Sequence, residues 1–127
     1  MIQIAVSKVQ AGFPSPADDY LEPFLSLDDY LIDNRSATFF VKITGNSMLG
    51  AGICEGDIAV VNRALVPRSH DIVIAVVENE FLIKELLIQA GQIWLKPHHP
   101  DFSKICLQED RGDMVWGVVV SIIRKYH

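Results

Sequence analysis

Two residues of this chain carry side chains that could do chemistry together, Ser47 and Lys84. Ser47 lies in Gly45-Asn46-Ser47-Met48, directly after a strand-like run, Ala37-Thr-Phe-Phe-Val-Lys-Ile-Thr44. Lys84 interrupts an otherwise apolar run, Phe81-Leu-Ile-Lys-Glu-Leu-Leu-Ile88. Side chains alternate faces along a strand, so Leu82, Lys84 and Leu86 share one face and Phe81, Ile83, Glu85 and Leu87 the other. Burial between two leucines disfavours the ammonium form and lowers the lysine pKa. A neutral amine in reach of a serine hydroxyl can take its proton and make it a nucleophile. A lysine can equally snorkel out along its stem or pair with a nearby glutamate. Serine is also common in plain turns. The residues alone leave both readings open. A nucleophile at 47 would use backbone N–H groups to hold an oxyanion; those of Ser47 and the adjacent Met48 are the candidates.

The elements that must position this pair read as β structure. Val-, Ile- and Phe-rich segments bounded by turn residues predict strands near 37–44, 57–62, 71–77, 81–88, 92–96 and 114–124. Glu78-Asn-Glu80 and Gln89-Ala-Gly-Gln92 read as hairpin loops, and Pro97-His-His-Pro100 as a longer one. No helical period follows residue 50. Residues 1–36 read as an arm. Phe13-Pro-Ser-Pro-Ala17 favours extended chain, a helical turn fits 26–32 with Ser26 or Asp28 as its cap, and 34–36 is a turn. The expected organisation is an arm over 1–36 and a mostly antiparallel β domain over 37–127.

Composition narrows the function classes. A chain of 127 residues, half of them hydrophobic and 21% charged, is one globular domain with a real core. A net charge of −5 argues against a stand-alone, sequence-specific DNA binder. The N-terminus lacks the basic start and long apolar centre of a signal peptide, and no run has the length of a membrane span. Cys54 and Cys106 have no metal-like spacing and read as reduced thiols in a cytoplasmic protein. Asp57 reads as the residue that orders a turn after Gly56, and His98 and His99 as plain surface. Trp94 and Trp116 read as core or interface. The nearly continuous apolar run 115–123 reads as a core strand that also meets a dimer partner.

The arm holds one more feature, Ala11-Gly12, two small residues in an extended segment where a backbone can approach closely. Ala-Gly-Phe-Pro-Ser-Pro-Ala-Asp-Asp-Tyr (11–20) resembles the cleavage-site segment of the LexA/UmuD family of Ser–Lys self-cleaving peptidases. Ser36-Ala-Thr-Phe-Phe-Val-Lys-Ile-Thr-Gly-Asn-Ser-Met48 is similar to that family's nucleophile segment. Gly52-Ile-Cys-Glu-Gly-Asp-Ile-Ala-Val-Val61 resembles its Gly-Asp box, and Asp71-Ile-Val-Ile-Ala75 with Glu80-Phe-Leu-Ile-Lys84 its base-bearing hairpin. The resemblance runs from about residue 10 to the C-terminus.

The resemblance implies a compact peptidase β domain, with Ser47 as nucleophile, Lys84 as general base and Ala11–Gly12 as the bond cut. It implies an SOS-response protein whose self-cleavage is stimulated by the RecA–single-strand DNA filament, with no cofactor. The product would join a UmuC-like Y-family polymerase in error-prone lesion bypass, and the chain would form homodimers. Two departures stand out. The arm before the bond has 11 residues, fewer than is typical, and His70 stands where the family often has Gly. If that turn needs a positive φ, His is tolerated better than a β-branched residue. The rival readings are a polymerase-binding module of the same fold that is never cut, a LexA-type repressor, and a signal peptidase. Thirty-six residues before the β domain leave no room for a helix-turn-helix unit, and a signal peptidase needs a membrane span.

Overall fold

The computed structural model describes the backbone of residues 3–6 and 22–127 and the side chains from Ser26 onward. The contacts divide the chain into two units, 1–33 and 34–127.

In the first unit, strands β1 (Gln3–Val6) and β2 (Glu22–Ser26) pair antiparallel. The region read as an arm of extended chain thus holds a two-stranded ribbon. Helix α1 (Leu27–Leu31) follows β2 directly. Ser26 is its N-cap and accepts a hydrogen bond from Asp29 N, which satisfies one of the donors left free at a helix start. Ala11 and Gly12 lie outside the described residues.

The second unit is a seven-stranded, wholly antiparallel sheet. Its strands are β3 (Thr38–Lys42), β4 (Ile58–Asn62), β5 (Ile72–Val77), β6 (Glu80–Gln89), β7 (Gln92–Lys96), β8 (Ile105–Cys106) and β9 (Met114–Ile123). Their spatial order is β3-β4-β9-β5-β6-β7-β8. The expected strands are all present, β7 to the residue and the others with one or both ends moved by one or two residues. The two-residue β8 was not expected. Among the described residues, the only helical turns after residue 48 are the 3₁₀ turns Leu49–Ala51 and Glu109–Arg111.

The apolar run of β9, which lies between β4 and β5, serves two core clusters: Trp116, Val119 and Ile122 pack against the first, and Val115 and Val118 in the second. Its register slips twice. Val60 faces Ser121 while Val61 faces Val119, and Ile74 faces Gly117 while Ala75 faces Val115. Val120 and Trp116 are thus extra residues, and such bulges bend a strand and add twist. Trp116, packed against the first of these clusters, meets Phe39 at a tilt and Phe81 edge-to-face.

The clusters lie on either side of β6. Ile83 belongs with Ile43, Met48, Val61 and Ile74; Leu86 belongs with Val73, Ala75, Leu95 and Val118. Both hairpins carrying β6 close through two residues at positive φ, Glu78-Asn79 (51° and 65°) and Ala90-Gly91 (50° and 75°). This geometry matches the right-handed twist of the strands it joins.

Candidate active site

Ser47 sits on a loop that the sheet pins at both ends. Ile43 N donates to Asp57 O and Gly56 N to Ile43 O, each at 2.8 Å, which closes the loop at its base. Gly45, at φ +83°, turns the chain out of β3 in a conformation that side chains seldom adopt. Met48 then drives into the core, 2% exposed, and its carbonyl accepts from Ala51 and Ile53. The nucleophile candidate is therefore the residue just before a buried anchor.

Asp57 orders the far end, as the sequence suggested. It is buried, accepts from Cys54 N at 2.8 Å, and is gripped by Arg124 at 2.7 and 2.6 Å. Hydrogen bonds from Arg124 and then from Cys54 N lower the Asp57 pKa to about 2. Arg124 also donates to Gly52 O, so the segment after β9 ties down the same loop.

Lys84 meets Ser47 from β6. Its Nζ donates to Ser47 Oγ at 2.8 Å and to Ile83 O at 3.1 Å. Lys84 is buried, and no carboxylate among the described residues forms an ion pair with it. Burial pushes its pKa below the usual lysine value of 10.5. A lysine in this state can exchange its role from donor to acceptor and take the Ser47 proton. The pair opens into a cleft of about 490 Å³ lined by Val41, Ile43, Asn46, Leu82 and Phe102 as well as by the pair itself. Neither the Ser47 nor the Met48 N–H is taken by a backbone acceptor among the described residues.

His98 is the residue that the sequence reading passed over as plain surface. Its side chain reaches Glu85 and its backbone reaches the Ser47 loop: Nε2 lies 2.5 Å from Glu85 Oε1, and His98 N donates to Ser47 O at 2.8 Å. His70, at φ 79°, places Nδ1 2.8 Å from Glu85 Oε2. The positive φ considered for this turn is thus present. A polar residue inside an apolar strand was the signal for Lys84, and Glu85 carried the same signal. His99 packs edge-on against Phe102, and Cys54 and Cys106 are free thiols.

Comparison with known proteins places the chain. Residues 3–120 match the model of the peptidase S24-like family. Protein ImpA of Salmonella typhimurium is 50% identical over 120 residues, covering 93% of this chain and 80% of that protein. Protein MucA of Escherichia coli is 37% identical over 119 residues, covering 93% and 81%. LexA repressor 1 of Geobacter sulfurreducens is 37% identical over 117 residues, covering 91% of this chain and 57% of the repressor. The chain belongs to the peptidase S24-like family of SOS-related self-cleaving peptidases and is a UmuD-type member. No helix among the described residues is long and apolar enough to cross a membrane.

Proposed function

We propose that this chain is a serine endopeptidase that cuts its own Ala11–Gly12 bond with a Ser47–Lys84 dyad. The observation that carries the reading is the 2.8 Å contact between Ser47 Oγ and a lysine whose pKa burial has lowered. Neutral Lys84 takes the Ser47 hydroxyl proton as Oγ attacks the Ala11 carbonyl carbon. The N–H groups of Ser47 and Met48 hold the resulting oxyanion. As the intermediate collapses, the C–N bond breaks and Lys84 returns its proton to the Gly12 amine. Water, deprotonated by Lys84, then attacks the Ala11 ester; the ester bond breaks, and the proton returns to Ser47 Oγ. The products are residues 1–11 and 12–127.

The family membership supports the biological setting of the proposal. The RecA–single-strand DNA filament acts as co-protease in the cytoplasm, and the shortened chain is a dimeric accessory subunit of a UmuC-like Y-family polymerase. Met114 and Val120, both exposed on β9, are candidates for the dimer contact.

The test is intact mass against time for the full chain and for Ser47→Ala, with an activated RecA filament and separately at alkaline pH. Loss of residues 1–11 from wild type alone supports dyad and bond together. A wild type left whole under both conditions overturns the reading in favour of an uncut polymerase-binding module.

A further inference from the structure

Glu85 is buried, 9% exposed, and belongs to no step of the chemistry above. A carboxylate in that position costs stability unless it is paired. Two imidazoles pair it, one on each oxygen: His98 Nε2 on Oε1 and His70 Nδ1 on Oε2. Those hydrogen bonds hold its pKa below the ordinary 4.5 against the opposing effect of burial. An ionised carboxylate only accepts, so both imidazole nitrogens donate to it.

The two histidines differ in what they do next. His70 is 77% exposed at its side chain, and its peptide N–H bonds to Leu86 O on the same strand, β6. His98 is 26% exposed at its side chain, and its peptide spans the nucleophile loop. Its N–H donates to Ser47 O and its carbonyl accepts from Gly50 N, each at 2.8 Å. The approach is close enough that a Cβ on Gly50 would stand 2.8 Å from His98 O, so only glycine fits there. The Ser47 loop is thus held from two consecutive residues of β6: by Lys84 directly, and by Glu85 through His98.

We propose that Glu85 and His98 are positioning residues for the nucleophile, the carboxylate fixing the imidazole and the His98 peptide fixing Ser47 against Lys84. The proposal rests on the dyad reading above. It assigns the second histidine, His70, to holding Glu85 without reaching the loop. Misplacing a reacting group by a fraction of an ångström lowers its rate without abolishing it.

The experiment uses the full chain and three readouts: the first-order rate of self-cleavage at alkaline pH, the rate of Ser47 modification by diisopropyl fluorophosphate, and Tm. His98→Asn shortens the side chain so that it cannot reach Glu85, and lowers both rates about tenfold. His98→Gln restores the reach and the N–H donor, and returns both rates to within about threefold of wild type. His70→Gly, at a position whose positive φ glycine adopts freely, removes the other imidazole and its Nδ1 donor from the same carboxylate and leaves both rates within about twofold. In a Glu85→Leu background, His98→Asn adds no further loss. If that background does not fold, the pair His98→Asn and His70→Gly, each of which removes one donor from Glu85, decides alone.

Equal losses from His98→Asn and His70→Gly, following Tm, overturn the proposal, because the cluster then acts only through stability. So does a His98→Asn chain that reacts with the reagent as fast as wild type. A wild type that neither cleaves nor reacts overturns the dyad reading and the positioning role with it. A wild type that does both, matched by His98→Asn, removes the positioning role only.

Discussion

Lys84 and Glu85 are neighbours on one strand, both buried, both ionisable, and the fold treats them in opposite ways. Lys84 meets a hydroxyl and a carbonyl, and burial alone moves its pKa, downward and toward neutrality. Glu85 meets two imidazoles whose hydrogen bonds outweigh burial and hold it ionised. The difference follows from strand alternation. One face of β6 gives Lys84 apolar neighbours in Leu82 and Leu86; the other turns Glu85 toward loops that supply donors. A partnered buried charge is structure. One without a counter-charge is a cost that the fold must tolerate for another reason, and under the proposed function that reason is a base that works when it is neutral.

The sharpest way to break this comparison is Lys84→Met. Self-cleavage falls about 10³-fold or more, since the base is gone. Stability at neutral pH moves the other way, rising by on the order of 1 kcal/mol, because a buried ion is replaced by an apolar chain of similar volume. Intact mass reads the first and urea unfolding the second. A Lys84→Met chain that is less stable than wild type would mean that Lys84, like the paired Glu85, is held by its contacts at no cost to the fold.

The pH dependence of wild type follows from the same shift. Lys84 has a folded pKa below its unfolded 10.5. Between those two values the unfolded chain holds a proton that the folded chain lacks, so stability rises with pH across that window. The cleavage rate rises about tenfold per pH unit below the folded pKa and levels above it. Lys84→Met lacks the rise in stability. Glu85 gives a slope of the same sign in an acid window, but from a favoured charge and not a penalised one. Its folded pKa is lowered, so its contribution is present above 4.5 and is lost as pH falls through the folded value. Glu85→Gln therefore unfolds with a shallower acid limb than wild type in urea titrations at low pH. Asp57 and Asp113, each lowered to about 2 chiefly by a hydrogen-bonded arginine, Arg124 and Arg111 respectively, contribute to that limb in both chains.

How much of this was legible depended on the range of the interaction. Alternation and β-branched runs gave β4, β5, β7 and β9 nearly to the residue, because those signals are local. Glu80 and Gln89 extend β6 because they pair with Val77 and Gln92 at the hairpin ends, a matter of turn type and not of hydropathy. Ile105–Cys106 is too short to show any period, and its pairing with β7 is set by tertiary packing. Lys84 was legible as an anomaly and found its partner through resemblance. Glu85 was the same anomaly one residue later. Its partners lie 13 and 15 residues away in two different loops, and a loop histidine carries no sign of which buried carboxylate it serves.

The smallest expected effect separates stability from chemistry on this strand. Ala90 sits at φ 50° in the turn between β6 and β7, with Gly91 beside it at 75°. An L-residue there crowds its own carbonyl, and glycine does not. Ala90→Gly relieves that strain and gains unfolded-state entropy cost in exchange, for a net stabilisation of about 0.5 kcal/mol. The turn lies at the end of β6 away from the hairpin with β5, beyond Lys84 and Glu85, and touches neither. Thermal unfolding should therefore shift slightly upward while the cleavage rate stays at the wild-type value. If cleavage instead changes with so small a gain, the rate is governed by how firmly β6 and β7 hold together. Lys84 and Glu85 would then share one stability-limited role instead of dividing chemistry from positioning.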